Sequence, residues 1–352
     1  MERDDRKMRK MPADQFPVIF IFVFILGLLT YIHGIGGFAE AGGTDLNRQV
    51  RGGEEITLKT PTGNIHGTLQ VPETARKYPV VLIIAGSGPT DRDGNSPLLL
   101  GRNDSLKMIA LGLQENGIAS VRYDKRGIAG SSDAMAGKTE ADLRFDDYVD
   151  DAVAWVEDLQ KDSRFSHVII LGHSEGALIG TAAANKTPGL SGIISISGAG
   201  RPAYDLITEQ LSNEEKEIRD EACKILNELR EGRLIGEIRP ELMPLFRPSV
   251  QPYLISWFKY NPVDEIRNLD IPLLILHGTT DIQVNVEDAK LLKDANQDAR
   301  LKIIDGMNHV LKSVSLDPQE NLAAYSDPSL PLAPGFLKEI VSFIRSCTTK
   351  RL

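Results

Sequence analysis

Residues 79–85 form an unbroken apolar run that stops at Gly86-Ser87-Gly88-Pro89, and this pattern constrains the fold more than any other feature of the chain. A strand with one wet face alternates apolar and polar residues. A run without polar positions suits a strand covered on both sides, as in a parallel sheet packed between helices. The theme then repeats along the chain. Helix 105–115 leads to strand 118–123, helix 147–159 to strand 167–171, and helix 176–185 to strand 191–197. Further on, strand 272–277 precedes helix 286–296, strand 301–304 and helix 335–346. Such alternation predicts an α/β domain, a mostly parallel sheet with helices on both faces. Upstream, residues 54–60 and 64–71 alternate around Pro61-Thr62-Gly63. That reads as an antiparallel hairpin, which makes the sheet mixed.

Residues 201–268 interrupt the alternation. The segment is Glu-rich and helical by period over 203–211, 213–230 and 242–260, with breaks near Pro240, Pro244, Pro248 and Pro252. It is too long for a plain loop and is expected to be a helical cap over the carboxyl edge of the sheet. The core is thereby divided into 54–200 and 269–347.

The N-terminus has a different chemistry. Arg6, Lys7, Arg9 and Lys10 precede an almost purely apolar stretch, 16–32, followed by small residues and Ala39-Glu40-Ala41. A basic cluster, an apolar run and an A-x-A pattern are the parts of an export signal. Extended to residue 38, the run is also long enough to span a bilayer. Residues 1–41 are therefore expected to be a cleaved signal or a retained anchor, and 42–53 a Gly-rich linker. Either outcome places the domain in the periplasm, outside the cell, or on the outer side of a membrane.

The net charge of −9 supplies no basic stripe for phosphates, so a nucleic-acid partner is not expected. Cys223 and Cys347 are far apart and outside any CxxC spacing. Two unbridged thiols are expected rather than a disulfide, and no metal site is expected on them.

Gly172-His173-Ser174-Glu175-Gly176 follows an apolar strand and opens a helix. That is the context in which a G-x-S-x-G sequence forms a sharp turn presenting the serine hydroxyl, its flanking glycines removing Cβ atoms that would clash. The Glu175 N–H then lies at a helix N-terminus, aimed where an oxyanion would form. A serine nucleophile needs a base, and there are six histidines. His33 lies in the export segment and His66 in the hairpin. His167 begins a strand, at the opposite sheet edge, while His173 belongs to the turn itself and His277 ends a strand. His309, in the loop 305–309, combines the correct edge with a loop able to reach Ser174. The acid is expected at Asp281, in the loop after strand 272–277, completing the order Ser…Asp…His. Asp288 reads instead as a helix-surface residue and Asp305 as a strand end. The second oxyanion donor is expected from the loop after 79–85, with the Ser87 N–H first and Gly88 second. That loop is not a nucleotide fingerprint: no third glycine completes G-x-G-x-x-G, and no Gly-Lys-Ser/Thr completes a P-loop. Arg92 and Asp93 are expected to brace the turn Asp124-Lys125-Arg126.

In these segments the chain resembles bacterial α/β-hydrolase esterases of the serine aminopeptidase-like group. The similar stretches are GSGPTDRDGN (86–95), RYDKRG (122–127), the turn 172–176, HGTTD (277–281) and GMNH (306–309). The resemblance spans roughly 54–347. It implies an α/β-hydrolase fold, a carboxylesterase-like acyl hydrolase with Ser174, Asp281 and His309 as triad, a small-molecule ester substrate, and no cofactor or metal. Ala85-Gly86 stands where many relatives have His-Gly. Aminopeptidase and thioesterase chemistry would use the same triad, and an inactive exported binding protein of this fold is the reading from another class. An aminopeptidase would need a cap carboxylate for the substrate ammonium. Glu209, Glu214 and Glu215 are available but read as a solvated face. A dehalogenase would want Asp in place of Ser174. The substrate pocket is expected to include Gly88 and the cap residues Leu254, Trp257 and Phe258.

Overall fold

The computed structural model describes residues 53–73, 77–99 and 101–349; the expected signal or anchor and most of the linker lie outside them. Eight strands form one sheet in the order β1-β2-β4-β3-β5-β6-β7-β8. The hairpin β1 (Glu54–Thr60) and β2 (Gly63–Gln70) is antiparallel, and β2 also runs antiparallel to β4 (Ala119–Tyr123). From β4 through β3 (Tyr78–Ile84), β5 (Phe165–His173), β6 (Gly192–Ile196), β7 (Leu273–Gly278) and β8 (Arg300–Ile304) every pairing is parallel.

The unbroken apolar run in β3 has the expected cause. Val80, Leu82 and Ile84 point to one face, packed with Trp155 and Val156 of α2 (Phe145–Lys161) and Ile179 of α3 (Glu175–Lys186). Val81 and Ile83 point to the other, against Leu106 and Ile109 of α1 (Ser105–Glu115) and Phe336 and Ile340 near the C-terminus. With both faces dry, every position from Val80 to Ile84 is a core position.

Strand β4 lies on one side of β3 and β5 on the other, so the chain reverses its direction of travel across the sheet there. At such a switch point the loops leaving neighbouring strands diverge and open a crevice at the carboxyl edge. The loop after β3 carries Ser87 and the turn after β5 carries Ser174. The two are brought together by topology rather than by sequence proximity.

Residues 201–268 are inserted between β6 and β7. They form α4 (Ala203–Gln210), α5 (Lys216–Arg230), α6 (Met243–Phe246), α7 (Gln251–Trp257) and α8 (Pro262–Arg267). The helical stretch expected over 242–260, with breaks at its prolines, is two short helices, α6 and α7. Pro244 and Pro252 sit in the first turns of α6 and α7, where their missing N–H groups cost nothing. Arg247, ahead of Pro248, adopts the extended conformation that proline imposes on its predecessor. On α5, Ala222, Ile225, Leu226 and Leu229 make the buried stripe, at helical spacing. This stripe is continuous with the core on the α2–α3 side of the sheet, together with Phe246, Tyr253 and Leu254.

Polar contacts fix the cap as well. Arg247 and Ser249 both bond Glu140, Tyr260 Oη donates to Asp146 (2.7 Å), and the Trp257 ring stacks on Phe145 at 6.0 Å. The completing elements are α9 (Val286–Ala295), α10 (Pro318–Ala323) and α11 (Phe336–Thr348). Cys223 and Cys347 are unbridged. Among the described residues no helix is long and apolar enough to cross a membrane.

Candidate active site

Strand β5 ends at His173 and α3 begins at Glu175, leaving one residue to make the turn. Ser174 does so at φ 56°, ψ −121°, a region that L-residues avoid. Close packing enforces it. A Cβ on Gly172 would lie 2.1 Å from the Gly176 carbonyl oxygen, and one on Gly176 would lie 2.4 Å from that of Ile84. Only glycines let the helix start this tightly against β3 and β5. The Ser174 N–H is satisfied by Ile196 O at 2.9 Å, and its side chain faces a cavity that Ser87 also lines.

Asp281 follows β7, and its side chain is fully buried. Its Oδ1 accepts the N–H groups of Gln283 (2.9 Å) and Val284 (3.0 Å), and its Oδ2 meets His309 Nδ1 at 2.8 Å. Burial alone would raise the carboxyl pKa. The His309 charge and hydrogen bond, with His277 and the Val284 N–H, outweigh burial and hold it at about 2. Asp281 is therefore an acceptor, which puts the proton on His309 Nδ1 and leaves Nε2 as the ring nitrogen able to take one. Gly278 makes room for this arrangement: a Cβ there would fall 1.9 Å from Met307 O in the loop that carries His309.

His173 and His277 are buried beside this pair but have other work. His277 Nε2 lies 2.9 Å from the Val284 carbonyl. His173 Nε2 donates to the His309 carbonyl at 2.8 Å, and the two rings lie 4.9 Å apart. Burial, reinforced by His309, pushes the His173 imidazole down to about 3, so it is neutral. The His309 loop is thus pinned to the residue preceding Ser174. The His66 and His167 rings lie away from this pair, against Thr57 and Ser166.

The other expected site residues divide. The first N–H groups of a helix have no acceptor within it, and Glu175 holds the first position of α3. Its side chain points away into a buried cluster, taking Lys125 Nζ on Oε2 (2.8 Å) and Tyr253 Oη on Oε1 (2.6 Å). Burial and the Glu175 charge push the Tyr253 hydroxyl well above its ordinary value, keeping it a donor. Lys125 also donates to Gly86 O at 2.5 Å.

The cavity is small, about 50 Å³, and mostly apolar, with Leu178, Leu206, Trp257 and Val284 in its wall. Trp257 faces it as expected; Gly88, Leu254 and Phe258 do not line it. Leu254 is wholly buried in the core on the α2–α3 side of the sheet. Phe258 packs edge-on against Tyr204, and Gly88 supplies a positive φ in the loop after β3.

Two further expectations are corrected. Asp288, expected on a helix surface, is fully buried, because it accepts Arg201 Nε (3.0 Å) and Nη2 (2.8 Å) and the Gly200 N–H. Arg201 lines the cavity with its fork already occupied, its third nitrogen on Glu209 at 2.6 Å. Arg92 braces Asp124 as expected. Asp93, however, pairs with Arg122 at 2.7 Å rather than with the 124–126 turn. Lys125, Tyr253 and Arg201 carry no local sequence signal of a site role, because the partners Gly86, Glu175 and Asp288 lie 39 or more positions away. Among the described residues no three His, Cys, Asp or Glu side chains converge as a metal site.

Comparison with known proteins bears on the fold. A family model described as serine aminopeptidase, S33, matches residues 103–232. The chain has the α/β-hydrolase fold. It superposes on the α/β hydrolase GrgF from Penicillium sp. sh18 with a TM-score of 0.55, at 18% identity, covering 84% of this chain and 98% of that one. It superposes on the ferulic acid complex of Est1E from Butyrivibrio proteoclasticus with a TM-score of 0.53, also at 18% identity, covering 83% and 96%. In sequence it is 28% identical to esterase EstD of Thermotoga maritima over 259 residues, 70% of this chain and 58% of that protein. The match therefore spans less than two thirds of EstD.

The His173 environment makes the fold sensitive to mild acid. Its folded-state pKa lies below the ordinary 6.5, so beneath pH 6.5 the unfolded chain binds a proton that the folded one refuses until about pH 3. Stability should fall with pH across that window, by up to about 1.4 kcal/mol per pH unit from this group. Asp281 contributes only lower down, between its ordinary 3.8 and about 2. Denaturant unfolding at pH 7, 6 and 5 should show a slope that His173→Gln reduces by close to one proton. An identical slope in the two proteins would sink the assignment.

Proposed function

We propose that this chain is a serine esterase that cleaves short-chain carboxylic esters through an acyl-enzyme. The observation that carries the reading is the Asp281–His309 pair at 2.8 Å, anchored through His173 beside a strained serine at the head of a cavity. His309 Nε2 takes the Ser174 proton as Oγ bonds to the acyl carbon, and the carbonyl electron pair moves onto oxygen. The N–H groups of Ser87 and Glu175 receive that charge. Collapse breaks the ester C–O bond, and the alcohol leaves with the proton from His309. Water then repeats the sequence on the acyl-enzyme and releases the acid.

The names of EstD and Est1E support ester chemistry. Among the described residues the cavity wall offers no open carboxylate as an ammonium anchor for aminopeptidase work: Glu175 is held by Lys125 and Tyr253, Glu209, Glu214 and Glu215 do not line the cavity, and Glu209 is paired with Arg201. Ser174→Ala should lower kcat by roughly three orders of magnitude or more while leaving the thermal melt near that of the wild type. A fluorophosphonate should label Ser174 alone. Retention of activity within about tenfold of wild type would refute Ser174 as nucleophile.

Cavity size sets the acyl preference. At roughly 10–15 Å³ per water-sized group, the space over Ser174 admits a chain of a few carbons. Acetyl and butyryl p-nitrophenyl esters should be cleaved faster than octanoyl, and Trp257→Ala should shift the optimum to longer chains. An octanoyl preference in the wild type, or an unchanged profile in the variant, would contradict this.

Residues 1–41 support an exported enzyme, since a basic cluster followed by an apolar run is what a translocon accepts. Cell fractionation tests it. A mature N-terminus near Gly42 outside the cytoplasm indicates a cleaved signal, and an intact chain in the membrane pellet indicates an anchor. Intact protein free in the cytoplasm would refute export.

A further inference from the structure

The mechanism above leaves the buried Lys125 ammonium without a role. Lys125 sits in the loop after β4, its side chain 1% exposed, and each of its contacts comes from a different part of the fold. The ammonium donates to the Gly86 carbonyl (2.5 Å) and to Glu175 Oε2 (2.8 Å), and lies 5.0 Å from the centre of the Tyr148 ring. Glu175 in turn is held on its other oxygen by Tyr253 of the cap.

One of these partners, Gly86 O, is part of a donor peptide of the proposed oxyanion hole, and another is the side chain of Glu175, whose N–H is the second donor. A trans peptide is planar, and its C=O and N–H point in opposite directions. Gly86 O and the Ser87 N–H share one such plane. A cation fixed on Gly86 O from behind therefore aims the Ser87 N–H forward, toward the cavity that Ser87 and Ser174 line. The second donor is the N–H of Glu175, whose side chain the same ammonium grips. We infer that Lys125 is the positioning residue of the oxyanion hole, a single buried cation that sets the orientation of both donor peptides at once. It touches neither substrate nor Ser174; it acts through Gly86 and Glu175.

Its placement explains why a full charge is retained in the core. Burying an ammonium costs several kcal/mol unless it is fully partnered. Here its hydrogen bonds go to a carboxylate and a carbonyl, with an aromatic face beside them. A neutral donor would hold Gly86 O more weakly and leave Glu175 as an uncompensated buried anion.

The inference rests on the esterase reading, and its test separates the two. Lys125→Met should lose roughly 100-fold in kcat on a short ester, the scale of one misaligned oxyanion donor, with KM changed by less than about threefold. A trifluoromethyl ketone matching the acyl chain forms an adduct bearing an oxyanion and should weaken by a similar factor. The corresponding methyl ketone, which binds as a ground-state mimic, should bind as before. A general loss of packing would weaken both ketones alike. If Lys125→Met does not fold, the double variant Lys125→Met/Glu175→Gln removes both buried charges, and the same split between the two ketones is expected. Folded variants with kcat within about threefold of wild type, or with both ketones weakened equally, would overturn the inference alone. A wild-type protein that hydrolyses no ester would overturn the esterase reading and this inference with it.

Discussion

Everything at the carboxyl edge of the sheet depends on one steric constraint, the contact of α3 with β3 and β5 without side chains between them. Gly172 and Gly176 permit that contact, and it leaves Ser174 no room for ordinary dihedrals. Such backbone strain costs on the order of 1–3 kcal/mol and persists only where the surroundings over-determine it. Here the surroundings are the bond from Ser174 N–H to Ile196 O and a helix that is almost wholly buried. The strain thus has a structural cause that needs no appeal to function, yet its result is a hydroxyl displayed at the switch point of the sheet.

Charge is arranged around that point with unusual economy of solvent. Asp281, Asp288, Glu175 and Lys125 are all nearly or wholly buried, and each has specific partners. Burying an ion pair does not by itself stabilise a fold, because desolvation offsets much of the attraction. What such pairs do is fix geometry, since a half-satisfied buried charge is far more costly than a satisfied one. The Asp281 carboxylate shows this directly: two backbone N–H groups and one imidazole occupy it, and any rotation would break one of them.

The cap is part of the core more than a lid over it. Its apolar stripe on α5 and the rings of Tyr253 and Trp257 merge with the side of the sheet that carries α2 and α3. Trp257 has a double position, stacked on Phe145 behind and forming cavity wall in front. Substrate size and domain packing are consequently set by the same residues. Tyr253 also ties the cap to Glu175 by a hydrogen bond, so cap placement is felt at the first residue of α3.

Local sequence signals specify the sheet, the helices on its two faces, the sharp turn at Ser174, and the loops bearing Asp281 and His309. Each of these is written in local signals: unbroken apolar runs, helical period, and glycines flanking a serine. The cap was legible as an insertion, but its helix boundaries were not, because prolines mark starts as readily as stops. The tertiary structure alone decided that Asp288 is buried against Arg201, that Leu254 is core and Trp257 is wall, and that Lys125 joins two loops. Those facts depend on which residue meets which across the fold. Periodicity reports only whether a side chain faces inward, and a lysine or aspartate that finds its partner 50 or 87 positions away looks in sequence like any solvated charge.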